Sequence, residues 1–306
     1  MILCCGESLI DMIPANDGKA FSPHVGGSVF NTAVGIGRQS VDVALLSGVS
    51  TDLFGCQLEE ALVRSNVETG YLLRSGRPTT LAFISLVEGK ATFTFYDENT
   101  AGRLLSDDNM PALLSDKVHT LFFGGISLAV EPCADAYVAL LKRNGRNRMV
   151  MADPNIRPSF IPDASRYRER MRELFSYCDI VKISDDDLDW LDPSDRERGQ
   201  KVLDITTQGV SILCLTLGAG GVEVYDSAGR IFFTPAPEVQ VVDTVGAGDA
   251  FNAGMLVSLE RLEATSKEGL NSLSGKQLEE AVIFATAFAS ETVTRAGSDP
   301  PWKFKG

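Results

Sequence analysis

The stretch Val242-Asp243-Thr244-Val245-Gly246-Ala247-Gly248-Asp249-Ala250-Phe251 decides the reading of this chain. Ahead of it, Val239 and Val241 alternate with Glu238 and Gln240, which predicts a β-rich run. Behind it, Ala250-Phe251-Asn252-Ala253-Gly254-Met255-Leu256-Val257 predicts a helix. A helix N-terminus presents unpaired N–H groups backed by the helix dipole. Such a spot attracts an anion, most often phosphate. Gly246 and Gly248 carry no Cβ, so a phosphoryl group can come close to the backbone. Asp249, in the first turn, is then a candidate base for an attacking hydroxyl. Taken alone, the stretch equally fits a plain glycine turn with an acid favoured by the dipole. It is not a dinucleotide fingerprint, because Phe251 stands where the third glycine belongs. It is not a P-loop, because no Gly-Lys is followed by Ser or Thr.

The 306 residues suffice for one large α/β domain or two smaller ones. A net charge of -13 argues against a nucleic-acid surface. It also requires local groups to draw in any anionic substrate. The six cysteines include no Cys-x-x-Cys pair, and Cys4-Cys5 lies in an apolar run. Reduced, buried thiols and a cytoplasmic compartment are expected. With His24 and His119 as the only histidines, a histidine-rich metal site is not expected. The chain opens on a strand with no basic leader, and no apolar run reaches the ~18 residues of a membrane span.

Along the chain, strand and helix signals alternate. Met1 to Cys5 reads as a buried strand, and Asp11 follows within Leu9-Ile10-Asp11-Met12-Ile13. Gly26-Gly27 then opens an almost wholly apolar helix. Asn31, on that helix, needs partners or costs roughly 1–3 kcal/mol. Those partners are either backbone groups or ligand hydroxyls. Val43 to Val49 reads as a strand and Leu53 to Arg64 as an amphipathic helix. Thr79 to Val87 and Ala91 to Tyr96, joined through Glu88-Gly89-Lys90, read as a hairpin. It would form a small separate sheet, a lid or a subunit contact, with Phe93 and Phe95 on an exposed apolar face.

Alternation resumes with strands at Thr120 to Phe123, Arg148 to Ala152, Ile180 to Ile183 and Ile212 to Leu217. The strand at 148–152 ends in Asp153-Pro154-Asn155-Ile156-Arg157-Pro158. Ligands in α/β folds bind at such strand ends. Arg157 is either a phosphate clamp or an ion partner of Asp153. Ser184-Asp185-Asp186-Asp187 caps a short helix, and Thr216-Leu217-Gly218-Ala219-Gly220-Gly221 is a second glycine-rich turn.

In this order the motifs resemble the ribokinase-like (PfkB-type) carbohydrate kinases from Gly6 to Gly297. Asp243 to Phe251 matches the family's C-terminal signature, and Gly26-Gly27 with Asn31 and Ala33 its N-terminal one. The resemblance implies one domain over 1–306. Its doubly wound, mostly parallel α/β sheet would carry a small β lid built from about 11–25 and 71–105. It implies ATP-dependent phosphorylation of a sugar hydroxyl. Asp249 would be the base, Gly246, Ala247 and Gly248 the anion hole, and Arg157 a clamp on the phosphoryl group. Asp11, Gly26, Gly27, Asn31, Tyr96, Asp153 and Asn155 would hold the sugar. Lys182, Ser184, Thr216, Gly218 and Gly221 would line the ATP site. Asp187 would organise Mg²⁺ through water, in place of the family's usual glutamate. A monovalent cation, K⁺, would sit near Asp243, Val245, Arg295 and Ser298. A homodimer through the lid is also implied.

The Asp153–Pro158 run resembles the branch of fructokinases and 2-keto-3-deoxygluconate kinases. Asp97 stands where many of that branch carry arginine. An acid there would repel an acidic sugar, so the expectation is a neutral ketose, fructose first, with 2-keto-3-deoxygluconate and ribose as alternatives. A non-catalytic sugar-binding regulator is a weaker alternative, because the Asp249 turn is intact.

Overall fold

The computed structural model describes residues 1–15, 20–87 and 90–305. Its centre is a nine-stranded sheet in the order β15-β14-β13-β12-β11-β10-β1-β4-β6. β1 (Ile2–Cys5), β4 (Val43–Leu46), β6 (Val67–Glu68), β10 (Thr120–Gly124), β11 (Met149–Asp153), β12 (Ile180–Ser184) and β13 (Ile212–Thr216) run parallel. The antiparallel hairpin β14 (Val222–Asp226) and β15 (Gly229–Thr234) closes one edge. The central strands are buried on both faces, which is why they are continuous apolar runs. Alternation still divides them. Ile2 and Cys4 join one core, Leu3 and Cys5 the other.

Helices cover both faces. α1 (Ser28–Arg38), α7 (Ala247–Arg261), α8 (Lys267–Asn271) and α9 (Gly275–Thr292) supply residues to the first core, as does α2 (Leu53–Arg64). α3 (Cys133–Asn144), α4 (Ala164–Phe175), α5 (Asp185–Leu191) and α6 (Arg198–Thr206) supply the second. No helix of the described residues is long and apolar enough to cross a membrane.

A separate four-stranded sheet has the order β3-β2-β8-β9, from β2 (Leu9–Pro14), β3 (Phe21–Gly26), β8 (Leu81–Val87) and β9 (Lys90–Tyr96). The hairpin strands 81–87 and 90–96 pair as the alternation predicts. Glu88 and Gly89 of its turn lie outside the described residues.

Four expectations are corrected. Residues 235–244 contain no strand, and Val239, Val241 and Val242 are exposed loop residues. Val43 to Val49 is broken at Ser47. β4 stays in the large sheet, while β5 (Gly48–Ser50) pairs with β7 (Leu73–Ser75) in a two-stranded sheet. Phe93 and Phe95 do not form an outward face. They pack with Leu9, Ile126 and Phe160, and Phe95 meets Phe160 at 4.7 Å. The aromatic row on the opposite face is Phe21, Phe83 and Tyr96, in edge contacts of 4.9 and 5.3 Å. Finally, Cys56 is exposed, while the other five cysteines are buried.

Candidate active site

The parallel strands of the large sheet end on one rim, and the loops beyond them line a cleft of about 1200 Å³ roofed by Phe93 and Phe95. A pocket for one small ligand is usually smaller, so there is room for two ligands end to end. Two helix N-termini meet at its floor. Ser28 is the first residue of α1, and Asp249 lies in the first turn of α7.

Asp249 is the meeting point. Its side chain is buried, and three donors converge on the carboxylate. Ser28 Oγ donates to Oδ1 at 2.7 Å, Asn31 Nδ2 to Oδ2 at 2.9 Å, and Asn155 Nδ2 to Oδ1 at 3.3 Å. Thus Asn31, a polar residue on a buried helix, finds a side-chain partner. Burial pushes the Asp249 carboxyl up to about 6, although Asn31 and Ser28 pull it down. The charge of Asp153 adds to the rise and Lys182 opposes it. A carboxylate held in this way can take a proton from an alcohol near neutral pH.

Beside it, Gly246 caps α7 in the left-handed conformation at φ 79°. A Cβ there would lie 2.1 Å from Ser298 Oγ, so both backbone angle and space demand glycine. Asp243 fixes this turn from behind. Its Oδ1 accepts from Val245 N at 3.0 Å and its Oδ2 from Gly297 N at 2.9 Å. The expected cation-site residues Asp243, Val245, Arg295 and Ser298 are therefore neighbours in two adjoining turns. The Arg295 side chain donates to Glu291 at 2.5 Å.

Lys182 comes up from β12 beneath Gly248, its Nζ 2.9 Å from where a Cβ would stand. It pairs with Asp153 at 3.0 Å, and Asn252 Nδ2 donates to the same oxygen at 2.8 Å. Burial alone would lower the Lys182 pKa, but Asp153, Asp187 and Asp249 together raise it. The expectation of Asp153 as a sugar contact is corrected. It is fully buried beneath the cleft and spends its charge on Lys182. Nor does Asp153 pair with Arg157. The Arg157 guanidinium lies 5.1 Å over the Phe93 ring and donates to the carbonyls of Asn155 and Ile156.

Toward the small sheet, Asp11 faces the cleft from β2. Its Oδ2 occupies the space a Cβ on Gly26 would need, at 2.1 Å. Burial raises the Asp11 pKa to about 7. Asp249 adds to that rise, and Arg157 opposes it. Gly27 lines the cleft as well, and its carbonyl accepts from Asn31 N at 2.8 Å. Tyr96 is a further correction. It is exposed on the outer face of the small sheet and does not line the cleft. Asp97 is nearly buried and held by both oxygens to Arg103 at 2.9–3.0 Å, outside the cleft. Its charge is paired there, and it does not line the cleft.

At the opposite end, Thr216, Gly218 and Gly221 of the second glycine turn line the cleft, with Ser184 and Lys182 beside them. Ser184 Oγ caps α5 by accepting from Asp187 N at 3.1 Å. Asp187 Oδ1 in turn accepts from Ile156 N at 3.2 Å. Burial raises the Asp187 pKa to about 6. Asp153 adds to the rise, and Lys182 opposes it.

Glu7, Ser28 and Asn252 were not singled out from the sequence. Glu7 is buried at the end of β1 and accepts from Ser28 N at 3.0 Å and Ser127 N at 3.4 Å. Burial raises its pKa. Its signal was available, since it follows a parallel strand as Asn155 does.

The chain matches the model of the pfkB family carbohydrate kinases over residues 1–304, and it belongs to that family. It is 41% identical to the fructokinase of Rhizobium leguminosarum bv. trifolii, an alignment covering 91% of this chain and 85% of that one. It is 34% identical to a probable chloroplastic fructokinase-6 of Arabidopsis thaliana, over 98% and 79% of the two chains. Among solved structures, a fructokinase with bound ATP from Xylella fastidiosa superposes with a TM-score of 0.88 at 28% identity, covering 97% of this chain and 93% of that one. The chain is accordingly a sugar kinase, phosphorylating its substrate at the expense of ATP.

Proposed function

We propose that this kinase is a fructokinase, converting D-fructose and ATP to fructose 6-phosphate and ADP, with Asp249 as general base. The observation that carries the chemistry is Asp249 itself, a buried carboxylate at a helix N-terminus with its lone pairs aimed by Ser28, Asn31 and Asn155. The choice of fructose is supported by the fructokinases among its relatives, including one at 41% identity.

In this reading the whole chain is one kinase domain, and the small sheet closes over the cleft as a lid. The sugar lies between Asp11, Gly27, Asn31 and Asn155 under Phe93 and Phe95. ATP lies over the glycine turn 218–221 and reaches toward Gly246, Ala247 and Gly248. The sugar's hydroxyl donates its proton to Asp249 as its oxygen bonds to the γ-phosphorus, and the bond from that phosphorus to the β–γ bridging oxygen breaks to leave ADP. The backbone amides of the 246–248 turn, Lys182 and Arg157 stabilise charge on the transferring group. Mg²⁺ fits the donor set. Seven carboxylates line the cleft (Glu7, Asp11, Asp185, Asp186, Asp187, Glu238, Asp249) against two cations (Lys182, Arg157), with Asp153 beneath it. Among the described residues, no group of three acidic, histidine or cysteine side chains makes a cage of its own. A hard cation shared between nucleotide phosphates and one carboxylate suits that arrangement. Asp187 would hold it through water, and when bound it neutralises phosphate charge. A potassium ion beside the 243–246 and 295–298 turns would stiffen the anion hole.

The outward aromatic row, with Phe21 and Tyr96 exposed and Phe83 half-buried between them, supports a homodimer through the outer face of the lid, tested by light scattering before and after Tyr96→Ser. A cytoplasmic location fits the buried free thiols. The substrate is tested by ADP release on a panel of fructose, 2-keto-3-deoxygluconate and ribose. Fructose should give the highest kcat/KM, and a higher value for either other sugar overturns the choice.

A further inference from the structure

Of the three donors to Asp249, Asn31 and Asn155 are amides, and amides neither attack phosphorus nor yield a proton to a carboxylate. The third, Ser28, is an alcohol. Its Oγ stands 2.7 Å from Oδ1, and it accepts from Asn155 Nδ2 at 2.8 Å. A sugar hydroxyl poised for attack needs the same two partners, a carboxylate to take its proton and a donor to orient its oxygen. Ser28 is also fixed in place. Its backbone N–H is tied to the buried Glu7 carboxylate at 3.0 Å, and its carbonyl accepts from Thr32 Oγ1 at 3.0 Å.

We propose that Ser28 is a positioning residue whose hydroxyl is a built-in stand-in for the substrate's hydroxyl, occupying Asp249 until the sugar displaces it. The inference rests on Asp249 acting as base. A kinase with an open base and bound ATP faces a side reaction. Water donates its proton to Asp249, its oxygen bonds to the γ-phosphorus, and the bond from that phosphorus to the β–γ bridging oxygen breaks, giving ADP and inorganic phosphate. Water that takes the place of Ser28 on Oδ1 must break a short bond between Ser28 on α1 and Asp249 on α7, two groups that neighbouring hydrogen bonds already hold. A bound sugar repays that loss with its other hydroxyl contacts, and water has none to offer. Ser28 thus couples ATP cleavage to the presence of the sugar. Glu7 serves it indirectly, by anchoring the Ser28 backbone.

The test is ADP release by the full-length protein with ATP and Mg²⁺, with no sugar and with saturating fructose. Ser28→Ala and Ser28→Gly both remove the hydroxyl, and the second leaves no side chain to misplace. In each, the ratio of sugar-free to sugar-saturated turnover should rise by about tenfold, a fraction of the 10²–10⁴ that a base contributes. Ser28→Thr, which keeps the hydroxyl, should hold the ratio within about twofold of the parent's. In an Asp249→Asn background, removing the hydroxyl should raise nothing. An unchanged ratio in both the Ala and Gly variants overturns the proposal. So does a Thr variant as uncoupled as Ala, or an equal rise in the Asp249→Asn background. Asp249→Asn alone, if it retains sugar turnover, overturns instead the base assignment.

Discussion

Lys182 Nζ and Asp153 Oδ2 are 3.0 Å apart, both side chains buried beneath the turn that ends at Gly248. The pair is the charged floor of the cleft. Removing one member of a buried pair strands the other, at a cost of about 3–5 kcal/mol. Lys182→Met should therefore lower unfolding free energy by that amount in denaturant titration. The double change Lys182→Met/Asp153→Leu should recover a large part of it. Equal stability in single and double variants would show that the two charges do not depend on each other.

The pH profile follows from Asp249 and Asp187, both raised by burial to about 6. The proposed base works ionised, so kcat/KM should rise with pH through about 6 and level off above it. Below pH 6 the slope should exceed that of a single group, because both carboxylates must lose their protons. A profile flat from pH 5 to 8 would exclude a raised carboxylate in the rate-determining ionisation.

Asp11 links function to stability. Its pKa rises from an ordinary 3.8 to about 7 on folding, chiefly through burial. Between those values the folded chain binds the extra proton, so stability falls as pH rises toward and through 7. Asp11→Asn should raise the melting temperature at pH 8 by about 3–6 °C, with a shrinking gain toward pH 4. The same change should raise KM for the sugar about ten- to hundredfold, since hydrogen bonds to a charged group are worth about 1.5–3 kcal/mol. A loss of stability at pH 8 would contradict the argument.

Gly246 tests the anion turn. Gly246→Ala places a methyl group 2.1 Å from Ser298 Oγ on a backbone at φ 79°. Turnover should fall about 10²-fold, the usual loss when anion-hole donors are displaced. Ser298→Gly in the same chain should restore part of it by clearing the space. Failure of the second change to help would mean that backbone strain alone sets the loss.

The sequence made the parallel strands legible because burial on both faces leaves uninterrupted apolar runs, as at Ile2–Cys5 and Thr120–Gly124. The helices α4 and α6 were less visible. Their charged residues dilute the apolar stripe, and in α4 even Arg170 is buried, paired with Glu131 and Asp135. Val239 and Val241 misled by alternating like a strand while lining the cleft from a loop. Motif order brought Asp249, Asn31, Asn155 and Asp11 to one cleft. It does not tell which face of a hairpin turns inward, and the structure turns Phe93 and Phe95 in and Tyr96 out. Pairings across the fold, such as Asp97 with Arg103 or Glu7 with Ser28, have no signature in the local sequence.

The central claim is that Asp249 takes the proton of the sugar hydroxyl, and Asp249→Asn tests it most directly. The amide keeps the shape of the side chain and removes the base. With ATP, Mg²⁺ and saturating fructose, ADP release should drop by about 10²–10⁴-fold while fructose and ATP still bind in calorimetry. Retention of more than about a tenth of the parent rate would contradict the account.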